Sequence, residues 1–337
     1  MIESINASRM NRVINGSIKC SFGKIATRHW NKDSGLPKIF MMHGWQDHLG
    51  IFERLNTMLC SNYEIFTWDM PGHGWSDYPQ WPWTYGHHEH PKQAYEVLER
   101  IEWDEFSLVA HSWAGNGMTP FVCMFPDRVQ NYIILDAYGL ITSNDDNFLF
   151  GQKLQMGLAF PHAEQTFDDE TKMRTRDELK KRIMDGTTIP HDFVDEWMER
   201  GVRWNQTGQM GAFSRDIRMT TAMIIPAYNS VYMGALLERL ETPTLKLNGT
   251  DSQQGKKLSA CLNRSTKTFK RCSNIVLGVA WNPKNSFAFD ERVLEWQTRL
   301  DSLENVTVKT VTGNHHFFID NYKITSKLIH DFIDSNK

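Results

Sequence analysis

Three side chains, widely separated in the sequence, could together form a nucleophilic catalytic site. Ser112 is followed along the chain by an acid, Asp251, and then by a histidine, His315. A serine hydroxyl attacks a carbonyl carbon when a histidine removes its proton and a carboxylate orients that histidine. The order serine, acid, histidine is one in which such triads occur. The chemistry that this pattern predicts is acyl transfer through a covalent serine intermediate.

Ser112 lies in a pattern that is typical of a sharp turn between a strand and a helix. The apolar run 106–110 predicts a buried strand, and Ala110 at its end lies two positions before the serine. Ala114 and Gly115 follow the serine by two and three positions. Larger side chains there would collide where the backbone folds back, so the pattern favours a nucleophile elbow. The alternative role of Ser112 is to cap the helix that follows.

The acid and the histidine are each expected just after a strand of the same sheet. Residues 244–247 predict a buried strand, and Asp251 follows it in an exit loop that contains glycine. Residues 306–311 alternate in polarity as a strand does, and His315 comes after them. We assign Asp251 as the acid and His315 as the base, with Asp136 at another strand end as the fallback acid.

A loop after the strand predicted at 37–42 could stabilise the negative charge of a reaction intermediate. In such a sheet, one backbone N–H comes from this loop and another from the residue after the nucleophile. We therefore expect the backbone N–H groups of Trp45 and Trp113 to form an oxyanion hole. Because the hole uses the main chain, both indole side chains can still pack against the protein.

Further motifs extend the pattern beyond the serine turn. They are residues 42–45 (MHGW), 69–76 (DMPGHGWS), 313–315 (GNH), 43–47 (HGWQD), Phe52, 133–137 (IILDA) and 213–218 (FSRDIR). Together with the Ser112 turn, these motifs resemble the α/β-hydrolase fold and, more closely, its serine hydrolase-like (kraken-like) group. The resemblance implies a nucleophile at Ser112, an acid at Asp251 and a base at His315. The glycine two positions earlier favours His315 over the adjacent His316.

The alternation of elements predicts an α/β core with an inserted cap. Predicted strands that alternate with helical segments lie at 37–42, 63–69, 106–110 and 132–136. Such alternation favours a mostly parallel sheet flanked by helices. From 138 to 240 the spacing is helical and no buried strand is evident, so we predict a hydrolase core at 1–137, a helical cap at 138–240 and the rest of the core at 241–337. The connection 256–302 is longer than in the family.

Composition narrows the class of protein. Charged residues make up 23% and apolar residues 40% of the 337, as in an ordinary globular protein. A net charge of −3 gives no broad positive field for nucleic acid, and no run reaches the roughly 18 apolar residues of a membrane span. Five scattered cysteines and a polar beginning predict reduced thiols in the cytoplasm. The predicted chemistry requires no metal or organic cofactor.

We therefore expect a serine hydrolase that cleaves a small hydrophobic carboxylic ester. Large apolar residues of the predicted cap favour a hydrophobic pocket; among them are Phe148, Phe150, Met156, Phe160, Trp197, Trp204, Met210, Phe213, Met223, Tyr228 and Met233. Epoxide hydrolase and haloalkane dehalogenase chemistry is disfavoured, because it needs an aspartate at position 112. A carbon–carbon bond hydrolase with the same triad, a slow ligand sensor and a scaffold without catalysis are the alternatives.

Overall fold

An eight-stranded sheet forms the centre of the protein. The computed structural model describes residues 12–80, 85–139, 173–219, 230–252 and 298–337. The strands of this sheet are β1 (Val13–Cys20), β2 (Gly23–Trp30), β3 (Lys38–Met42), β4 (Glu64–Trp68), β5 (Phe106–His111), β6 (Val129–Leu135), β10 (Thr244–Gly249) and β11 (Val306–Val311). Their order is β1-β2-β4-β3-β5-β6-β10-β11. Strands β4, β3, β5, β6, β10 and β11 are parallel to one another. Strands β1 and β2 form an antiparallel hairpin, and β2 pairs antiparallel with β4.

The central strands are buried because helices cover both faces of the sheet. Alternate residues of one strand enter different apolar clusters: Phe40 belongs to one cluster and Ile39 to the other. The same alternation separates Leu108 from Val109 in the next strand. Strands covered on both sides have near-continuous apolar sequences, which is why these segments could be identified as strands. This part of the prediction is confirmed.

The flanking helices lie mainly between consecutive parallel strands. The helices are α1 (Glu53–Leu59), α2 (His90–Arg100), α3 (Ser112–Gly117), α4 (Thr119–Met124), α5 (Arg176–Gly186), α6 (Val194–Gly201), α7 (Ser230–Leu237), α8 (Phe317–Asp320) and α9 (Tyr322–Ser335). Short 3-10 turns lie at Leu49–Phe52, His87–Glu89 and His191–Phe193. In the described part of the chain, no helix is both long enough and apolar enough to cross a membrane.

The strand register aligns the carboxyl ends of the parallel strands at one edge of the sheet. Met42 of β3 pairs with Ala110 of β5, and His111 pairs with Leu135 of β6. Leu247 of β10 also pairs with Leu135, so three neighbouring strands end close together. Loops that leave this edge can therefore bring distant residues into contact, as is usual for binding sites of open α/β sheets.

The described part of the predicted cap contains strands as well as helices. A second, three-stranded antiparallel sheet has the order β7-β9-β8 and consists of β7 (Arg174–Thr175), β8 (Val202–Trp204) and β9 (Met210–Phe213). The sequence did not predict this sheet, because strands of two to four residues are too short to show a clear alternation. Parts of the predicted cap, at 140–172 and 220–229, and most of the long connection, at 253–297, lie outside the described residues.

Candidate active site

Ser112 lies at the sharp turn that its neighbours predict. It follows β5 directly, begins α3 and has a φ of 51°, a left-handed conformation that is uncommon for residues other than glycine. A Cβ atom at Gly115 would lie 2.7 Å from the Cβ of Ala137 and 3.0 Å from the carbonyl oxygen of Ala110. The turn therefore needs a very small residue at position 115, and the predicted elbow geometry is present.

The structure brings the predicted base to the predicted nucleophile. His315 lies in the loop between β11 and α8, and its Nε2 is 2.8 Å from the Oγ of Ser112. The other ring nitrogen, Nδ1, is 2.5 Å from Oδ2 of Asp136. The His315 side chain is 29% exposed, whereas that of Asp136 is fully buried. A serine, a histidine and a carboxylate thus form one continuous hydrogen-bonded chain.

Asp136 is held in place by the end of the neighbouring strand β10 and by the loop that follows it. It comes directly after β6 and adopts a φ of 46°. Its Oδ1 accepts hydrogen bonds from the backbone N–H of Gly249, at 2.9 Å, and from the hydroxyl of Ser252, at 2.6 Å. These donors occupy one carboxylate oxygen, so the other oxygen remains directed to His315.

The assignment of Asp251 as the acid is wrong, because the structure places Asp136 against the histidine. Both ring nitrogens of His315 are already engaged, one by Ser112 and the other by Asp136. Asp251 is exposed, and its backbone N–H donates to the carbonyl oxygen of Gly313 at 2.8 Å. The physical reason is strand order: β6, which precedes Asp136, lies beside β5, whereas β10 lies one strand farther away.

The hydrogen-bond pattern fixes which nitrogen of His315 carries the proton. A carboxylate oxygen can only accept, so the Nδ1–H of His315 donates to Asp136. The lone pair of Nε2 then faces the hydroxyl of Ser112, which donates to it. This tautomer is the one in which a histidine can take a proton from a serine. The arrangement is chemically suited to make the hydroxyl of Ser112 a nucleophile.

The loop after β3 passes directly beside the serine. A Cβ atom at Gly44 would lie only 2.9 Å from the Cβ of Ser112, so only glycine allows this approach. Trp45 follows in the same loop, and its indole Nε1 donates to the carbonyl oxygen of Met219 at 2.8 Å. Trp113 lies in the first turn of α3, where backbone N–H groups have no acceptor within the helix. The two tryptophans predicted for the oxyanion hole therefore flank Ser112.

Two buried histidines anchor the loop after β3. Nε2 of His43 accepts from the backbone N–H of Met70 at 2.9 Å, and Nε2 of His73 accepts from that of Gln46 at 3.1 Å. An imidazole that accepts must be neutral. Consistent with this role, burial lowers the pKa of His43 to about 4, and burial together with neighbouring His43 lowers the pKa of His73 to about 3.

A second histidine–aspartate pair lies next to the first. Nε2 of His316 is 3.2 Å from Oδ2 of Asp47, and Nδ1 of His316 is 2.7 Å from the hydroxyl of Thr188. Nδ1 of His111 lies 3.6 Å from the same Asp47 oxygen. Burial opposes ionisation of Asp47, but His316 and His111 outweigh it and hold the pKa of this carboxyl well below its usual range.

Asp47, His111 and His316 are the described residues whose donor atoms lie close enough together to surround a metal ion. All three are buried. Asp47 already accepts from His316, and Nε2 of His111 lies 3.2 Å from the carbonyl oxygen of His315, to which it can donate. Because these contacts satisfy most of the polar atoms, the cluster is explained without a metal as an internal support of the loops.

Asp136 is the site residue that the sequence ranked too low. One signal could have raised it: an aspartate directly after an apolar strand that follows the helix of the nucleophile turn. Strand order cannot be read from a single sequence, however, and the sheet order decides which acid meets the histidine. Asp251 also lies near a strand end, so both acids satisfy the same local pattern.

Comparison with known proteins identifies the class of the fold. The family model described as alpha/beta hydrolase fold matches residues 37–180. A solved structure, the thioesterase domain from the curacin biosynthetic pathway, superposes with a TM-score of 0.68 at 15% identity, covering 95% of this chain and all of that domain. The chain therefore has the α/β-hydrolase fold, as the sequence predicted.

Among curated proteins, the chain is similar to serine hydrolase-like proteins. It is 25% identical to a serine hydrolase-like protein of Danio rerio over 60% of this chain and 62% of that protein. It is also 25% identical to a probable serine hydrolase of Drosophila melanogaster over 62% of this chain and 63% of that protein. The match thus spans somewhat less than two thirds of each relative. The predicted resemblance to the serine hydrolase-like group is confirmed.

Proposed function

We propose that this protein is a serine hydrolase that cleaves a small, largely hydrophobic carboxylic ester through an acyl-enzyme. The observation that carries the proposal is the continuous chain from Ser112 through His315 to Asp136, with distances of 2.8 and 2.5 Å. The similarity to serine hydrolase-like proteins supports the same class of activity. The triad of the proposal contains Asp136 in place of the acid expected from the sequence.

In the first half-reaction, His315 takes the proton of Ser112 while the serine oxygen attacks the ester carbonyl carbon. The negative charge of the tetrahedral intermediate is stabilised by the backbone N–H groups of Trp45 and Trp113. Asp136 keeps the proton on Nδ1 of His315 and stabilises the positive charge that develops on the ring. The intermediate collapses when His315 gives its proton to the leaving alcohol, which leaves an acyl group on Ser112.

In the second half-reaction, His315 activates a water molecule, which attacks the acyl carbon. The resulting intermediate uses the same two N–H groups, and its collapse returns the proton to Ser112 and releases the acid. The hydrophobic character of the substrate rests on the apolar residues of the predicted cap. Several of them, at 140–172 and 220–229, lie outside the described residues.

Labelling with a fluorophosphonate and hydrolysis of 4-nitrophenyl esters of graded chain length test this function. We expect the wild-type protein to be labelled and to hydrolyse the esters, and Ser112→Ala to lose labelling and about 10⁴- to 10⁶-fold of the turnover. Ser335→Ala is the matched control, because this serine lies exposed at the end of α9. Unchanged ester hydrolysis by Ser112→Ala would contradict the assignment.

Two further outcomes distinguish the alternatives. Labelling of Ser112 without hydrolysis of any ester would favour a carbon–carbon bond hydrolase over an esterase. A stable acyl-enzyme that releases its acid over hours would favour a ligand sensor, because the first half-reaction would then occur without the second.

A further inference from the structure

The segment from Phe213 to Met219 crosses from the small sheet to the loops around Ser112. At its beginning, the N–H of Ser214 donates to the carbonyl oxygen of Gly201 at 2.9 Å. At its end, the carbonyl oxygen of Met219 accepts from the indole of Trp45 at 2.8 Å. Between them, the N–H of Asp216 donates to the carbonyl oxygen of Gly72 at 2.8 Å. These bonds fix Arg215 above the loops that follow β3 and β4.

Arg215 differs from Arg200 and Arg218, two other arginines of this region. Nε of Arg200 is 2.7 Å from a carboxylate oxygen of Asp69, and Nε of Arg218 is 2.9 Å from a carboxylate oxygen of Asp216. Within the part of the chain that the structure describes, no hydrogen bond or ion pair involves the guanidinium of Arg215. Its contact is with an aromatic ring, since its Cζ lies 4.7 Å from the ring centroid of Phe213.

The guanidinium of Arg215 stays charged although it is partly enclosed. The side chain is half-buried, and burial lowers its pKa to about 10, a change that Asp47 and Tyr78 oppose. A pKa near 10 leaves the group protonated at neutral pH. Enclosing a charge that has no bonded counter-charge among the described residues is unfavourable, so an anion that paired with this guanidinium would be stabilised.

The position of Asp47 relates this cation to the reacting groups. Asp47 lies in the loop that approaches Ser112, and it accepts from His316, the neighbour of the proposed base. Its carboxylate already faces His316 and His111 and is not bonded to Arg215. The Asp47 carboxylate favours the charged form of Arg215 and raises the pKa of this group, so Arg215 lies in the electrostatic surroundings of the loop that approaches Ser112, while its hydrogen-bond donors are not used by Asp47.

We propose that Arg215 binds a carboxylate of the substrate, so that the natural substrate is an ester with a carboxylate at one end of an apolar body. This inference rests on the proposed ester hydrolysis and adds the class of substrate. A guanidinium presents parallel N–H donors that match the two oxygens of a carboxylate. The carboxylate is not changed in the reaction: water cleaves the ester bond, and the acid and the alcohol leave.

Matched pairs of esters test the proposal. In one pair, mono-4-nitrophenyl adipate is compared with its methyl ester, so that the carboxylate lies on the acyl part. In the other pair, 4-acetoxybenzoate is compared with its methyl ester, so that the carboxylate lies on the alcohol part. We expect kcat/KM of the wild-type protein to favour the charged member of at least one pair by about 10- to 100-fold, the usual effect of a charged hydrogen bond.

The variant Arg215→Met should reduce that preference to near unity, and Arg215→Lys should retain part of it. Arg176→Gln is the control for a change in net charge, because the Arg176 side chain is exposed at the start of α5 and pairs with Asp195. This variant should keep the full preference. The same preference in Arg215→Met as in the wild type would overturn the proposal. So would equal kcat/KM for the charged and neutral members of both pairs in the wild type.

A binding measurement keeps the proposal testable apart from hydrolysis. Adipate should raise the melting temperature of the wild-type protein and of Arg176→Gln, should raise that of Arg215→Lys less, and should not raise that of Arg215→Met. An equal effect of inorganic phosphate at the same concentration would contradict carboxylate recognition, because it would show a general anion site. Absence of fluorophosphonate labelling would instead contradict the proposed function. The rise in melting temperature with adipate would still test whether Arg215 binds a carboxylate.

Discussion

Two adjacent histidines, His315 and His316, are bonded to different carboxylates and have different surroundings. The side chain of His315 is 29% exposed and bridges Ser112 and Asp136. The side chain of His316 is 7% exposed and bridges Asp47 and Thr188. Both pairs combine an imidazole with a buried carboxylate, so the residue types alone do not separate a catalytic pair from a supporting one.

The difference lies in what the second ring nitrogen faces. In His315, it faces a hydroxyl at a turn beside which a substrate can bind. In His316, it faces the hydroxyl of Thr188, which lies in the predicted cap. The first pair is therefore suited to move a proton, and the second to connect the loop after β3 with the loop after β11. Proximity to a carboxylate is common to both; access to a reacting group is not.

The largest expected effect separates the two histidines. His315→Asn should lower kcat for ester hydrolysis by about 10⁴-fold or more, because no base then faces Ser112. His316→Asn should lower kcat by roughly 10-fold or less and lower the melting temperature, because it weakens a buried support. Ester hydrolysis and thermal unfolding of both variants measure these changes. An equal loss of activity in the two variants, with unchanged melting of His316→Asn, would contradict the distinction.

The next effect compares the two acids. Asp136→Asn should lower kcat by about 10³- to 10⁴-fold, because an amide that donates to Nδ1 favours the tautomer with the proton on Nε2. That tautomer cannot accept the proton of Ser112. Asp251→Asn should change kcat by less than about two-fold, since the Asp251 side chain does not occupy either nitrogen of His315. The reverse ranking would restore Asp251 as the acid.

The smallest effect concerns the pH dependence of stability that results from the two buried histidines anchoring the loop after β3. His43 and His73 have pKa values of about 4 and about 3 in the folded protein, against about 6.5 in an unfolded chain. Below pH 6.5 the unfolded state takes up protons that the folded state does not. The free energy of unfolding should therefore fall as the pH decreases from about 6.5 towards 4, by roughly 1.4 kcal/mol per histidine at pH 5.5.

Urea unfolding at pH 7.5 and pH 5.5 measures this dependence. His73→Gln keeps an acceptor for the N–H of Gln46 without a group that titrates, so its loss of stability between the two pH values should be smaller by about 1.4 kcal/mol. His330→Gln serves as the matched control, because His330 lies on α9 and is bonded to the hydroxyl of Tyr63. An equal pH dependence in the wild type and in His73→Gln would contradict neutral anchoring histidines.

Most of the fold could be predicted from the sequence because its signals are local. Apolar runs identified β3, β5, β6 and β10, and the small residues around Ser112 identified the turn. The three-stranded sheet could not be predicted, because β7 has two residues and β8 three, too few for a periodic pattern. Its formation depends on the pairing of β7 and β8 with β9, and this pairing is a property of the folded protein that no single short segment shows.

The site was predicted in part for a similar reason. Ser112 and His315 follow from short motifs, and the structure brings them together. The acid depends on which strand lies beside β5, a property of the whole sheet that no local pattern records. Arg215 lies in the 213–218 motif without a role predicted from the sequence, because the absence of a bonded partner for its guanidinium among the described residues is visible only in three dimensions.

The left-handed backbone at position 112 also limits which residues can replace this serine during evolution. Side chains branched at Cβ are rare at a φ of 51°, so threonine is a poor substitute although it has a hydroxyl. Glycine, asparagine and aspartate tolerate this backbone better, and none of them has a hydroxyl. The substitutions that the turn accepts most readily are therefore those that change or end the chemistry. Inactive or repurposed descendants of this protein should keep an intact fold.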